Sequence, residues 1–275
     1  MISRLRDKYY WYLTYHKLKN FLSHESMQKV LLYGYPKSGN TWLRFLLFNY
    51  RNLLINPSLD KTLTYDELNS LQNNVMDRGT IFYSKDGFPV FYRTHKIYVN
   101  PYNLFSFKIF IHRNPMDTLI SSYYFYKNRT VPFLDDIKSI RNKLHDIDFY
   151  VRYKLDSWIQ FYYESLKHAD VIINYSDLKE DCLLHFSRLI EELEWDFNID
   201  LIKKSIKISS LNSIKKMGEL KNQQYGNGPK DGSFKGEFTR SGKEGQFASE
   251  LKVETIDYVL DRFPEFVNLY PYSLE

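Results

Sequence analysis

Three groups of residues in this chain have types and spacings suited to handling an anion. The first is Gly34-Tyr35-Pro36-Lys37-Ser38-Gly39-Asn40-Thr41-Trp42, in which two glycines bracket a lysine. Backbone N–H groups between the glycines, with the unsatisfied amides of a following helix, would cradle anionic oxygens. Gly34, Gly39 and Thr41 keep the glycine spacing of the phosphate loop G-x-x-x-x-G-K-[ST]. The lysine has moved, however: it stands inside the loop at 37, and position 40 is Asn. Its charge would meet a different ligand atom than a nucleotide kinase requires. Glycine-rich strand-to-helix turns without a ligand are common, so the spacing alone leaves both readings open. The second group is Arg113-Asn114-Pro115, where an apolar run ends in an arginine, a binder of phosphate rather than of metal. The third is Arg93-Thr94-His95, again closing an apolar run. The C-terminal ends of parallel strands face a ligand crevice. Even there, a lone histidine is more often a surface or core residue than a catalyst.

The elements that must position these groups are legible in part. Val30–Tyr33 reads as a buried strand, and Thr41–Tyr50 as a helix with Leu43, Leu46 and Leu47 on one face. Residues 49–60 read as a polar, asparagine-rich connection, and Thr64 with Glu67 as a capping box that starts a helix. Residues 73–87 read as loop, residues 88–95 as a short strand ending in charge, and Phe107–Ile111 as a strand. Asn114 then caps a helix, with Pro115 at its first position and Asp117 in its first turn. Residues 130–152 read only as a helical connection. Residues 170–181 read as a buried strand, a turn and a helix start. A loop over 218–247 follows, with seven of the chain's eleven glycines between 218 and 245 and no apolar periodicity. An amphipathic helix over 251–267 ends near Pro264. This alternation predicts an α/β fold, a central parallel sheet flanked by helices. The length suits one domain over residues 1–275, with a basic aromatic helix at 1–25 and a lid at 218–247.

Composition narrows the function classes. The 24 Tyr, 20 Phe and 4 Trp suit a tight core and an aromatic-lined pocket, although ordinary core packing accounts for most of them. A net charge of +5 favours anionic ligands, yet 38 basic against 33 acidic residues make a mixed surface that gives little support to nucleic-acid binding. Cys182 is the single cysteine, which excludes an internal disulfide, points to a reducing compartment, and reads as core in an apolar helical run. No stretch approaches the roughly 18 to 20 apolar residues of a membrane span. The first twenty residues mix basic and aromatic side chains without the pattern of a signal peptide. They suit either a basic interfacial helix on an anionic membrane or, more commonly, a helix docked on its own domain.

Tyr35-Pro36-Lys37-Ser38-Gly39-Asn40-Thr41-Trp42 resembles the 5'-phosphosulfate loop of the sulfotransferase superfamily, whose donor is 3'-phosphoadenosine 5'-phosphosulfate (PAPS). Arg113-Asn-Pro-x-Asp-x-x-x-Ser121 resembles that family's 3'-phosphate motif, and Arg93-Thr94-His95 its Lys-Thr-His, with Arg93 in place of the lysine. The resemblance spans roughly residues 30 to 250. It implies His95 as catalytic base and Lys37 as the cation on the bridging oxygen. Arg93 keeps the charge with a planar fork. Arg113 and Ser121 would hold the 3'-phosphate, and Ser121 also joins the catalytic set. Ser38, Gly39, Asn40 and Thr41 would line the 5' loop, and Trp42 and Tyr175 would bracket the adenine. Ser209 stands in a weakly matched nucleotide segment in which Leu211 loses the aromatic. Phe238, Arg240, Ser241 and Gly242 resemble the lid over the 3'-phosphate, with Ser241 where the family has lysine and Lys243 nearby. Phe161 replaces a histidine of an acceptor-side helix and makes that wall less polar.

The resemblance implies sulfuryl transfer from PAPS, without a metal, to a hydroxyl or amine of a small-molecule, carbohydrate or lipid acceptor. The by-product is 3'-phosphoadenosine 5'-phosphate (PAP). A cytoplasmic enzyme, free or at a membrane surface, is expected. A P-loop kinase would need a lysine directly after Gly39 and a strand-end aspartate for magnesium; the sequence has neither. A degenerate nucleotide-binding protein remains the non-enzymatic alternative, against which stand Lys37 and His95 together.

Overall fold

The computed structural model describes residues 15–16, 18–20, 22–23, 27–75, 88–95, 102–127, 140–220 and 242–271. In chain order the elements are β1 (Lys29–Tyr33), α1 (Asn40–Ile55), α2 (Tyr65–Ser70), β2 (Asn73–Asn74), β3 (Val90–Thr94), β4 (Phe107–His112), α3 (Pro115–Lys127) and α4 (Ile147–Leu166). There follow β5 (Val171–Asn174), α5 (Tyr175–Glu180), α6 (Cys182–Glu192), α7 (Ile199–Ile208), α8 (Leu211–Leu220), α9 (Phe247–Glu250), α10 (Val253–Arg262) and α11 (Phe266–Leu269).

The five strands pair in parallel in the order β2-β3-β1-β4-β5. β1 is central and covered on both faces, which is why its sequence is continuously apolar rather than alternating. Leu31, Tyr33, Tyr92 and Phe110 face a layer that includes α3, α4 and the C-terminal helices. Val30, Leu32, Phe91, Ile109 and Ile111 face the opposite layer, built from α1, α2 and α5–α8. From β1 the chain runs to β2 and β3 on one side, then to β4 and β5 on the other. The crevice of such a sheet lies where that order reverses, at the C-terminal end of β1. The three residue groups singled out above all lie at that edge.

Several sequence expectations need correction. The helix after the first turn does not give way to a connection at Asn49; α1 runs on to Ile55. Asn49 is polar for a tertiary reason. Its Nδ2 donates to Ser209 Oγ at 2.8 Å and to Thr62 Oγ1 at 3.0 Å, and its Oδ1 accepts from the Leu63 amide at 3.0 Å. The helix stops at extended Asn56, just before Pro57, as the restriction on pre-proline residues requires. Asn73 and Asn74, read as loop, form the edge strand β2 against Tyr92 and Arg93, too short to show a period. The final helix is divided: α10 ends at Arg262, with Phe263 as its cap before a proline, and the short α11 follows. Cys182 is only half-buried, at the first position of α6. Burial nonetheless raises its thiol pKa to about 12, with the Asp181 charge adding.

Leu18 and Leu22 are buried in the main core, so that end of the first segment is docked on the domain. Residues 1–14, 76–87 and 221–241 lie outside the described residues. Among the described residues no helix is long and apolar enough to cross a membrane.

The Thr64–Glu67 capping box is present in full, with the Glu67 amide donating to Thr64 Oγ1 at 3.2 Å and the Thr64 amide to Glu67 Oε2 at 2.6 Å. Thr64→Ala is expected to lower unfolding free energy by ~1 kcal/mol in urea titration. Asn49→Ala strips three hydrogen bonds, one of them from a buried amide, and is expected to cost ~3 kcal/mol. Equal losses for the two variants would show that Asn49 is not the tie between α1 and α7.

Candidate functional site

The turn after β1 is shaped by two close approaches. A Cβ at Gly34 would stand 2.4 Å from the Ile111 carbonyl oxygen of β4, and one at Gly39 would stand 2.4 Å from Tyr175 Cδ2. Gly39 also has φ 100°, and Lys37 adopts φ 76°, so the loop winds through the left-handed region twice. The Ser38 amide donates to the Tyr35 carbonyl at 3.2 Å and Asn40 Nδ2 to the same carbonyl at 3.3 Å, closing the turn. No side chain caps α1. Ser38 is fully buried, and its Oγ has no hydrogen-bond partner. An uncapped helix start beside an unpartnered buried hydroxyl fits an external anion. Lys37 Nζ lies over the Phe125 ring of α3, 4.9 Å from its centroid.

β3 delivers His95 just past its last residue, Thr94. His95 Nδ1 is 2.8 Å from the Gly34 carbonyl oxygen. A carbonyl only accepts, so Nδ1 carries the proton and the neutral ring keeps its lone pair on Nε2. One edge of the residue is open to solvent, while the other is packed against the loop. That packing first, then the charges of Arg93, Arg44 and Lys37, lowers its pKa from 6.5 to about 4, against the opposing pull of the Gly34 carbonyl. Water on the open edge limits the effect; its direction keeps the imidazole neutral at pH 7.

β4 delivers Arg113, which is buried. Its guanidinium reaches Asp117 Oδ2 at 3.3 Å, donates to the Lys243 carbonyl, and lies over the Tyr175 ring at 4.8 Å. Its Nε is buried without a partner. Asp117 is fully buried and accepts also from Asn114 Nδ2 at 3.0 Å and from the Gly245 amide at 2.9 Å. Tyr175 Oη donates to the Gly242 carbonyl at 3.3 Å, and Ser176 Oγ donates to Glu244. The end of the segment read as a lid, residues 242–245, is thereby fastened to the start of α3 and α5. Ser121 lies half-buried two turns further along α3. Phe238, Arg240 and Ser241 lie outside the described residues.

The rings of Trp42 and Tyr175 meet edge to face, centroids 5.6 Å apart at 71°. Trp42 Nε1 donates to the Ser209 carbonyl at 3.2 Å, which ties that segment to α1. Phe161 is buried on α4, edge-on to Tyr35 at 5.6 Å, and makes an apolar wall beside the loop. The sequence reading missed two things here. Asp117, noted only for its place near a helix start, is the hub of the β4–α3 corner; its spacing of four from Arg113 was the available signal. Buried His112 pairs through Nδ1 with Tyr270 Oη at 2.7 Å and is held neutral by burial, its pKa lowered to about 4. No sequence pattern linked those two.

The model of the sulfotransferase domain matches residues 27–268. A flavonol 4'-sulfotransferase of Flaveria chlorifolia is 26 % identical over 246 residues, covering 76 % of this chain and 74 % of its own. Mouse sulfotransferase SULT7A1, solved in complex with PAP, superposes with a TM-score of 0.60 at 17 % identity, covering 92 % of this chain and 88 % of its own. Retinol dehydratase, solved with androsterone and inactive cofactor PAP, gives 0.55 at 14 % identity over 92 % and 85 % of the two chains.

Both perturbed histidines have folded pKa values below the unfolded one. They therefore contribute stability above pH 6.5 that is lost as pH falls toward about 4. Histidine NMR titration is expected to place both below 6.5, with unfolding free energy declining over that interval. A His95 value at or above 6.5 would show that packing and the neighbouring cations do not depress it.

Proposed function

The chain belongs to the sulfotransferase family, and from that premise we propose that it moves the sulfuryl group of PAPS to a hydroxyl or amine of a small-molecule, carbohydrate or lipid acceptor. In this reading residues 1–275 act as one domain, in a cytoplasmic setting, free or at a membrane surface. The observation that carries the reading is the His95 Nδ1 bond to the Gly34 carbonyl, which leaves Nε2 as a free acceptor at the mouth of the Lys37 loop.

The donor supplies an activated sulfuryl group on a phosphate leaving group. The amides of residues 39–41, at the uncapped start of α1, and the unpartnered Ser38 Oγ would hold the 5'-phosphate. Arg113, already oriented by Asp117, would hold the 3'-phosphate with Ser121, and Arg240, Ser241, Phe238 and Gly242 would close over it. Trp42 and Tyr175 would offer faces for the adenine, with Ser209 behind Trp42. Lys37 neutralises charge growing on the departing oxygen. Its ammonium is held over the Phe125 ring. His95 Nε2 takes the acceptor proton. A depressed pKa makes it a weaker base at rest but keeps it unprotonated over the whole working range. Arg93, two residues away on the same strand face, adds positive charge at the transfer point. The aromatic Phe161 wall suits an acceptor with an apolar body next to its hydroxyl. The flavonol, retinol and androsterone of the relatives named above have such bodies.

Transfer from radiolabelled PAPS to a panel of hydroxyl acceptors tests the reading. His95→Ala is expected to lower kcat by ~10²- to 10⁴-fold with PAP affinity unchanged. Unchanged turnover in the variant would take His95 out of the mechanism.

A further inference from the structure

Two consecutive residues near the C-terminus, Leu269 and Tyr270, grip the ends of two adjacent strands. His112 ends β4 and Asn174 ends β5, and the two are partners across the parallel ladder. Paired residues of a ladder point to the same side of the sheet, and here that side meets the end of α11. Tyr270 Oη is bonded to His112 Nδ1 at 2.7 Å, and the Leu269 carbonyl accepts from Asn174 Nδ2 at 2.9 Å. His112 is 4 % exposed and Tyr270 is fully buried. Directly after the two strand ends stand Arg113 and Tyr175, the residues assigned above to the nucleotide.

Apolar packing alone could hold this segment in place. Tyr270 already rests against Phe266, and Phe266 against Phe247 at the start of α9. A buried hydroxyl–imidazole pair adds direction, because neither group can leave the other without being stranded away from water. The far end of Arg113, its guanidinium, is fixed by Asp117, the Lys243 carbonyl and the Tyr175 ring. The near end is the backbone from which it hangs, and His112 anchors that backbone one residue earlier. A phosphate bound by Arg113 reads the position of both ends, and a displacement of about 1 Å in such a group is costly.

We propose that Tyr270 is a positioning residue of the nucleotide site: through His112 it sets the place of Arg113, and with it the affinity for the donor's 3'-phosphate. The proposal rests on the reading of the chain as a PAPS-dependent sulfotransferase. A tyrosine that serves packing alone would make nucleotide preference follow stability, and the experiment separates the two.

Wild type, Tyr270→Phe, the double variant His112→Leu/Tyr270→Phe, and Thr64→Ala are titrated with PAP and with AMP, which lacks the 3'-phosphate, and each is unfolded in urea. Tyr270→Phe strands the imidazole, whereas the double variant removes both polar partners and is expected to regain most of the lost stability. Thr64→Ala lowers stability away from the site. The ratio of PAP to AMP affinity is expected to fall about tenfold in both Tyr270 variants, the size of one lost hydrogen bond, and to keep its wild-type value in Thr64→Ala. KM for PAPS is expected to rise further than kcat falls. A wild-type ratio in the double variant, or a ratio lowered as far in Thr64→Ala, would overturn the proposal. Should Tyr270→Phe not fold, the double variant decides alone. The donor reading fails separately, if wild type binds PAP no tighter than AMP; the Arg113 Nε–H NMR signal of nucleotide-free protein then decides the positioning. That signal is expected to move in the double variant and to hold in Thr64→Ala, and a signal unmoved in the double variant sinks the idea.

Discussion

The hydrogen bond from His95 Nδ1 to the Gly34 carbonyl joins the two charged parts of the site through the residue at which β1 gives way to the loop. Gly34 can serve this way because it lacks a Cβ: the β4 backbone at Ile111 lies where one would stand. β3 supplies the histidine, β1 the loop, and β4 both the close packing and, two residues later, Arg113. Parallel pairing of these three strands in fixed register holds all three functional groups in one frame. A slip of one residue in β3 would turn Arg93 and His95 to the opposite face.

A second frame ties the nucleotide end together. Asp117 receives Arg113, Asn114 and the Gly245 amide on a single oxygen, while Tyr175 packs on Gly39, carries Arg113 on its ring and donates to Gly242. The 5' loop, the strand-end arginine and the tail of the glycine-rich segment are therefore mechanically linked. An anion drawing on Arg113 acts on the same carboxylate that holds residue 245. This gives the glycine-rich segment a fixed root at the site whatever its earlier residues do.

The parts of this architecture that depend on local patterns were legible in the sequence. Apolar runs gave β1, β3, β4 and β5. Glycine spacing gave the loop, and Thr64 with Glu67 gave a complete capping box. What escaped depends on contacts between residues far apart in the chain. Asn49 looked like a loop residue because its three partners lie in the 62–63 segment and at Ser209. The Asn73–Asn74 edge strand was invisible because two residues carry no period. The edge-to-face contact of Trp42 with Tyr175 likewise comes from packing between α1 and α5. The burial of Arg44 against the Leu68 carbonyl and Asn69 is also a property of the fold, since the sequence shows only an arginine amid leucine and phenylalanine.

On the proposed reading one phosphate binds at the α1 start and a second at Arg113, and β4 ends without an acidic residue to hold magnesium. Calorimetric titration of the purified chain with PAP, ADP and ATP, in the absence of magnesium, tests this most directly. The account expects PAP to bind selectively, since only PAP presents a 3'-phosphate to Arg113. Equal or tighter binding of ATP, above all with a requirement for magnesium, would contradict it.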